Sequence, residues 1–133
     1  MKSDLSTEDA VFRQEVREFL ANELPAELAA RVRLHQTLTK EDYDFWHTRL
    51  NARGWFAPHW PKDIGGADWG AMQLHIFAEE CALAFAPRPM PFGVSMLGPV
   101  LQEFGSKAQQ DYWLPRILSG EDWWCQGLSL IHI

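Results

Sequence analysis

The sequence predicts an all-α fold: an orthogonal helical bundle of about five to six helices, with the start of a β-strand of a next domain at its C-terminal end. Three observations carry this. Apolar residues recur at intervals of three and four through most of the chain, as they do along one face of a helix. Most of these blocks open on Ser, Thr or Pro and close on Gly or Pro, the residues that start and stop helices. Trp123 to Leu128, by contrast, has the aromatic and apolar density of a strand entering a second domain. With 133 residues, 47% of them hydrophobic, the chain has the material for one modest core.

Ser6 or Thr7 caps the first helix, and Glu8 and Asp9 lie where exposed N–H groups favour negative charge. Phe12, Val16, Phe19, Leu20 and Leu24 form its apolar stripe, and Pro25 ends it by pushing Leu24 out of the α region. Pro25 suits the first turn of a second helix, which runs through Glu27 to Leu34. Thr39, followed by Lys40, Glu41 and Asp42, starts a third, with Tyr43, Trp46, His47 and Leu50 on one side; Gly54 can take the left-handed conformation that terminates it. From Trp55 to Gly70, prolines and glycines interrupt every period while Trp55, Phe56, Trp60 and Trp69 offer large surfaces to bury. That combination predicts an ordered loop held by aromatics.

Residues 71 to 85 return to a helical pattern, with Ala71, Leu74, Ala78, Cys81 or Ala82, and Phe85 on one face. Met72, Ile76 and Leu83 widen that face, so the helix is expected to be central. Pro87, Pro89 and Pro91 precede an apolar helix from about Phe92 to Phe104, closed by Gly105. Ser106 and Gln109 have the spacing of a capping box, and the helix they open passes Pro115 and reaches Gly120, bent or as a separate turn.

A net charge of −6 and an isoelectric point near 5.3 argue against a nucleic-acid binder, which concentrates Lys and Arg on one face. Cys81 and Cys125 sit in apolar surroundings and read as small buried hydrophobes in a reducing, cytoplasmic compartment. The first residues run into polar Ser6-Thr7-Glu8-Asp9, so no secretory signal is expected, and no apolar run has transmembrane length.

Three segments occur in order. They are Trp60-Pro61 with Gly65-Gly66, then Gly98-Pro99-Val100-Leu101-Gln102-Glu103-Phe104-Gly105-Ser106 with Gln109, then Leu114-Pro115-Arg116-Ile117-Leu118-Ser119-Gly120-Glu121 leading into Cys125-Gln126-Gly127-Leu128-Ser129. Together they resemble the amino-terminal helical domain of the acyl-CoA dehydrogenase family, over nearly the whole chain through Ser129. The resemblance implies a helical domain over residues 1–121 and the beginning of a middle β domain over 122–129. Residues 130–133 depart from the Glu-Pro and glycine-rich turn expected after Ser129 and read as a truncated or foreign tail.

The implied chemistry is oxidation of an acyl-CoA thioester to the trans-2-enoyl-CoA. A carboxylate removes the α-proton and a hydride leaves the β-carbon for FAD. The implied partners of the complete protein are acyl-CoA, an electron-transfer flavoprotein or similar acceptor, and further copies in a homo-oligomer. The family's catalytic glutamate lies in the carboxyl-terminal region, so this piece is expected to hold no catalytic residue and to be inactive alone. By the same resemblance Gln126, Leu128 and Ser129 fall where the first strand of the middle domain meets the flavin: Ser129 and strand N–H groups to hydrogen-bond it, Leu128 to pack on it. Phe92, Val94, Met96, Leu97 and Val100 fall on the helix beside the acyl-chain cavity, where the same side chains serve equally well as core.

Glu79 and Glu80 are adjacent on a helix, point in different directions and have no evident acid–base partner, which favours structural roles. The histidines lack the spacing of a metal site, and Gly65-Gly66 and Gly93 lack that of a phosphate-cradling loop. Two other readings stay open. One is a stand-alone helical protein-interaction domain that presents Trp55, Trp60, Trp69, Trp113, Trp123 and Trp124 as a recognition surface. The other is a fragment of an acyl-CoA oxidase-like flavoprotein.

Overall fold

The computed structural model describes residues 6–128. Among them six α-helices follow one another: α1 (Thr7–Glu23), α2 (Ala26–Arg33), α3 (Lys40–Ala52), α4 (Ala71–Leu83), α5 (Gly98–Phe104) and α6 (Lys107–Ser119). A π-helical turn, Phe92–Leu97, leads directly into α5. The local start signals act as their chemistry dictates. The Ser6 hydroxyl accepts the Asp9 N–H at 3.1 Å, and Thr39 with Asp42 and Ser106 with Gln109 exchange both bonds of a capping box. Pro25 stands just outside α2 rather than in its first turn. Pro115 lies inside α6, which continues past it to a left-handed Gly120.

The core forms where α1, α3 and α6 meet the Trp55–Gly70 loop. Val16 and Leu20 from α1, Trp46 and Leu50 from α3, Trp55, Phe56 and Trp60 from the loop, and Leu114 and Ile117 from α6 are all buried. Trp55 is ringed by Phe12, Phe19, Trp69 and Phe77 at centroid separations of 6.2, 4.9, 5.3 and 5.8 Å. The loop is therefore ordered by aromatic packing, as its composition predicts.

Trp60 explains the glycines that come after it. Its carbonyl accepts the Asp68 N–H at 2.9 Å while Gly66 donates to Pro61 at 2.9 Å, folding the loop onto itself. A Cβ on Gly66 would lie 1.9 Å from the Trp60 carbonyl oxygen, and one on Gly98 would lie 2.0 Å from the Trp60 ring. Both positions exclude any side chain. The indole N–H donates to the Val94 carbonyl at 2.8 Å, which ties loop and π turn together.

Four expectations differ from what the described residues show. First, α4 is not central and buries a different face. Ile76, Phe77 and Glu80 point inward, whereas Ala71, Ala78, Ala82 and Phe85 are exposed, as are Met72 and Leu83. The reason is ionic: Arg13 and Arg17 of α1 meet the Glu80 carboxylate at 2.9 and 2.8 Å, and that pairing turns an acidic position toward α1. Second, the described residues contain no strand. Trp123–Leu128 has no backbone hydrogen bond within them, because a strand needs a partner with which to form a ladder. Third, Cys125 is exposed on that segment. Fourth, Trp55 and Trp60 are buried and Trp69, Trp113 and Trp124 partly so, which leaves Trp123 as the exposed member of the expected recognition surface.

Candidate functional site

Two neighbouring parts of the chain carry the expected site residues: the π turn with α5, and the segment after α6. In the first, Val94 is buried and Leu97 packs against the core, while Phe92 is half-buried. Met96 and Val100 are 45% and 52% exposed. Their spacing of four places them on one helix face, continued by Phe104. The five expected pocket residues thus divide between a core face and an apolar surface stripe, and the described residues do not gather them around one cavity. Nearby is a half-open pocket of about 30 Å³ lined by His47, Phe56, Met90, Gly93, Val94 and Trp124 among others. It has room for water and not for an acyl chain.

In the second part, three successive side chains are held by three different contacts. Asp122 receives two hydrogen bonds from Arg116 of α6, at 2.5 and 2.9 Å. Trp123 donates its indole N–H to Asp44 of α3 at 3.0 Å, stacks on His47, and has the Lys40 ammonium 5.1 Å from its ring centre. Trp124 meets Trp113 edge-on at 5.2 Å and covers Gly93. Gln126 and Leu128 then extend into solvent, and Ser129 lies outside the described residues.

The titratable groups are set for structure and not for proton transfer. Hydrogen bonding to Arg17, with further support from Arg13, holds the Glu80 carboxyl below its usual range, so it is ionised and ion-paired. Burial pushes the His47 imidazole down to about 4, and its neutral Nε2 accepts the Met90 N–H at 3.3 Å. Burial pushes the Cys81 thiol up to about 12, which makes it inert. Among the described residues no three His, Cys, Asp or Glu side chains are grouped to hold a metal ion.

Residues 6–121 match the family model described as "Acyl-CoA dehydrogenase, N-terminal domain". The chain belongs to the acyl-CoA dehydrogenase family. Acyl-CoA dehydrogenase IpdE1 of Mycolicibacterium smegmatis is 38% identical over 125 residues, which cover 89% of this chain and 31% of that protein. The ChsE4-ChsE5 complex from Mycobacterium tuberculosis is 29% identical with a TM-score of 0.72, covering 91% of this chain and 30% of that one. A structure described as the Tcur3481-Tcur3483 steroid ACAD is 30% identical with a TM-score of 0.73, covering 91% and 31%. This acyl-CoA dehydrogenase chain therefore spans about a third of the length of the relatives it matches.

Sequence patterns do not reveal the Glu80 and Asp44 partnerships. Their partners lie 63 to 79 residues away, beyond any local pattern. The periodicity places His47 on the correct face of α3, but nothing local announces the pocket beside it.

Proposed function

We propose that this chain is the amino-terminal helical part of an FAD-dependent acyl-CoA dehydrogenase that converts an acyl-CoA thioester to the trans-2-enoyl-CoA. Residues 1–121 are its helical domain and 122–129 open its middle β domain. The observation that carries the reading is the family match, joined by an exit segment, Cys125–Leu128, whose backbone makes no hydrogen bond among the described residues. The residues present fit that cofactor. Cys125–Leu128 have no backbone hydrogen bonds among the described residues, and Gln126 adds an exposed amide with donors and an acceptor.

FAD supplies the hydride acceptor when bound. This chain's own residues bind and shield: Gln126 and Ser129 hydrogen-bond the flavin edge and Leu128 packs on it, while Met96 and Val100 give an apolar wall to the acyl group. Val94 and Leu97 support that wall from the core side and Phe92 borders it. Glu80, the buried carboxylate among the described residues, is committed to two arginines, so the base that takes the α-proton comes from outside this chain and the chain alone is inactive. The steroid ACAD among the solved relatives supports an acyl-CoA with a bulky, ring-bearing acyl group as substrate. The ChsE4-ChsE5 complex among them supports an oligomer that includes a second chain. The family resemblance adds an electron-transfer flavoprotein or similar acceptor, in the cytoplasm, to this proposal.

The test is to express the complete reading frame that carries this chain and record its visible spectrum. A yellow protein whose flavin bleaches on addition of an acyl-CoA is the expected result. A folded, colourless protein that ignores FAD overturns the proposal.

A further inference from the structure

We propose that Asp122, Trp123 and Trp124 form a clamp whose function is to position the flavin-facing residues Gln126–Leu128, which makes Asp44, Arg116 and Gly93 positioning residues for the cofactor. This inference rests on the reading above and deepens it. Its basis is a concentration of anchors. Three consecutive residues are held from three directions: Asp122 by the Arg116 guanidinium, Trp123 by Asp44, Lys40 and His47 on α3, and Trp124 by Trp113 and the bare backbone at Gly93. Immediately beyond, at Cys125 to Leu128, every side chain is exposed and no backbone hydrogen bond is made within the described residues.

Anchoring of this density is not needed to finish the helix. Gly120 already terminates α6 with its left-handed conformation and its N–H bonded to Ile117. The anchors act instead on the direction of the chain beyond them. Gln126 is two residues past Trp124, roughly 7 Å of extended backbone, so the path imposed at the clamp passes to the cofactor contacts with little room to relax. Two features point to directional control in preference to bulk packing. Trp123 is 39% exposed, so it contributes little core, yet its N–H is aimed at a carboxylate from an element 79 residues away. Gly93 leaves just enough space for Trp124: a methyl there would sit 3.0 Å from Trp124 Cδ1 and 3.2 Å from Ile117 Cγ2.

Two substitutions test the clamp from opposite sides in the complete, FAD-loaded protein. Trp123→Phe keeps a ring and removes the N–H. Gly93→Ala adds one methyl against Trp124 in a helical position that accepts alanine. For each, the FAD dissociation constant, the flavin absorbance band and the thermal midpoint are measured beside wild type and a control, Val11→Ala on the exposed side of α1. The expected result is FAD held about tenfold more weakly in each variant, with an altered flavin band, at a thermal midpoint within a few degrees of wild type. Unchanged FAD affinity and band in both variants overturn the clamp while leaving the family function standing. Weaker binding that merely tracks a fall in thermal midpoint also overturns it, since that is the signature of a structural role. A wild-type protein that takes up no FAD sinks the proposed function itself.

Discussion

Trp60 and Trp123 do the same chemical thing in opposite surroundings. Each donates its indole N–H to an oxygen on a distant element, Trp60 to the Val94 carbonyl at 2.8 Å and Trp123 to the Asp44 carboxylate at 3.0 Å. Trp60 is 1% exposed and wedged against two glycines, whereas Trp123 is 39% exposed and lies on the surface of α3. The difference separates two uses of one side chain. Buried, the ring excludes water and fills volume, so it holds the domain together. Exposed, it gains little from burial, and its hydrogen bond chiefly sets where the chain goes.

The comparison breaks first at Trp60. Trp60→Ala empties the space between the loop and α5 and leaves the Val94 carbonyl without its donor; a loss of about 4 kcal/mol in urea unfolding is expected. A loss below about 1 kcal/mol would mean that the loop does not depend on this ring. Next comes the ion pair between α1 and α4. Glu80→Ala removes the buried partner of both arginines, but Arg13 keeps the half-exposed Glu79 carboxylate at 2.6 Å, so the expected loss is about 2.5 kcal/mol by the same measurement. Arg17 is half-exposed and rehydrates, which keeps the loss at the low end for such a breach.

The range over which each interaction acts decides how much of it is legible in the sequence. The caps at Ser6, Thr39 and Ser106 close within three residues, so the chain announces them locally, and the helices start where those residues predict. The face of α4 is not legible, because a hydrophobic pattern assigns an acid to solvent and only the arrival of Arg13 and Arg17 from α1 reverses that. The run Trp60 to Gly66 stands out as a family resemblance, but its reason appears only when the indole meets Gly98 and the carbonyl meets Gly66. The π turn at Phe92–Leu97 is indistinguishable from ordinary α-helix in the sequence, since one extra residue per turn leaves no mark on a short, mostly apolar stretch. Of the site, the candidate residues at 92–100 share one helical stretch as expected, but their division between core and surface depends on what α6 and Trp60 cover.

A milder effect sits between the two tryptophans. His47 stacks beside Trp123 on one side and meets buried Phe56 on the other. Its folded value near 4 lies below the ordinary histidine value of 6.5, so between these limits the unfolded chain binds a proton that the folded chain refuses. Stability must therefore fall as the pH drops through that window, by about 2 kcal/mol from pH 7 to pH 5. Urea midpoints at the two pH values measure it, and His47→Gln, which keeps an acceptor for the Met90 N–H, should flatten the slope. A slope that survives in His47→Gln would assign the titration elsewhere.

The smallest stability effect belongs to Trp123, and its smallness sharpens the contrast. Trp123→Phe removes one partly exposed hydrogen bond to a carboxylate and keeps an aromatic surface against His47, so the expected cost is about 0.5 kcal/mol. A fall as large as that of Trp60→Ala would make Trp123 a core residue in function and erase the distinction drawn between them. The informative readout is local: in the wild-type chain the Trp123 indole proton should exchange with solvent more slowly than a free indole, and Asp44→Ala should restore fast exchange without shifting the unfolding free energy by more than about 1 kcal/mol. Slow exchange with little global stability is what a directional tether predicts, because the bond constrains one segment's path while the rest of the domain folds without it.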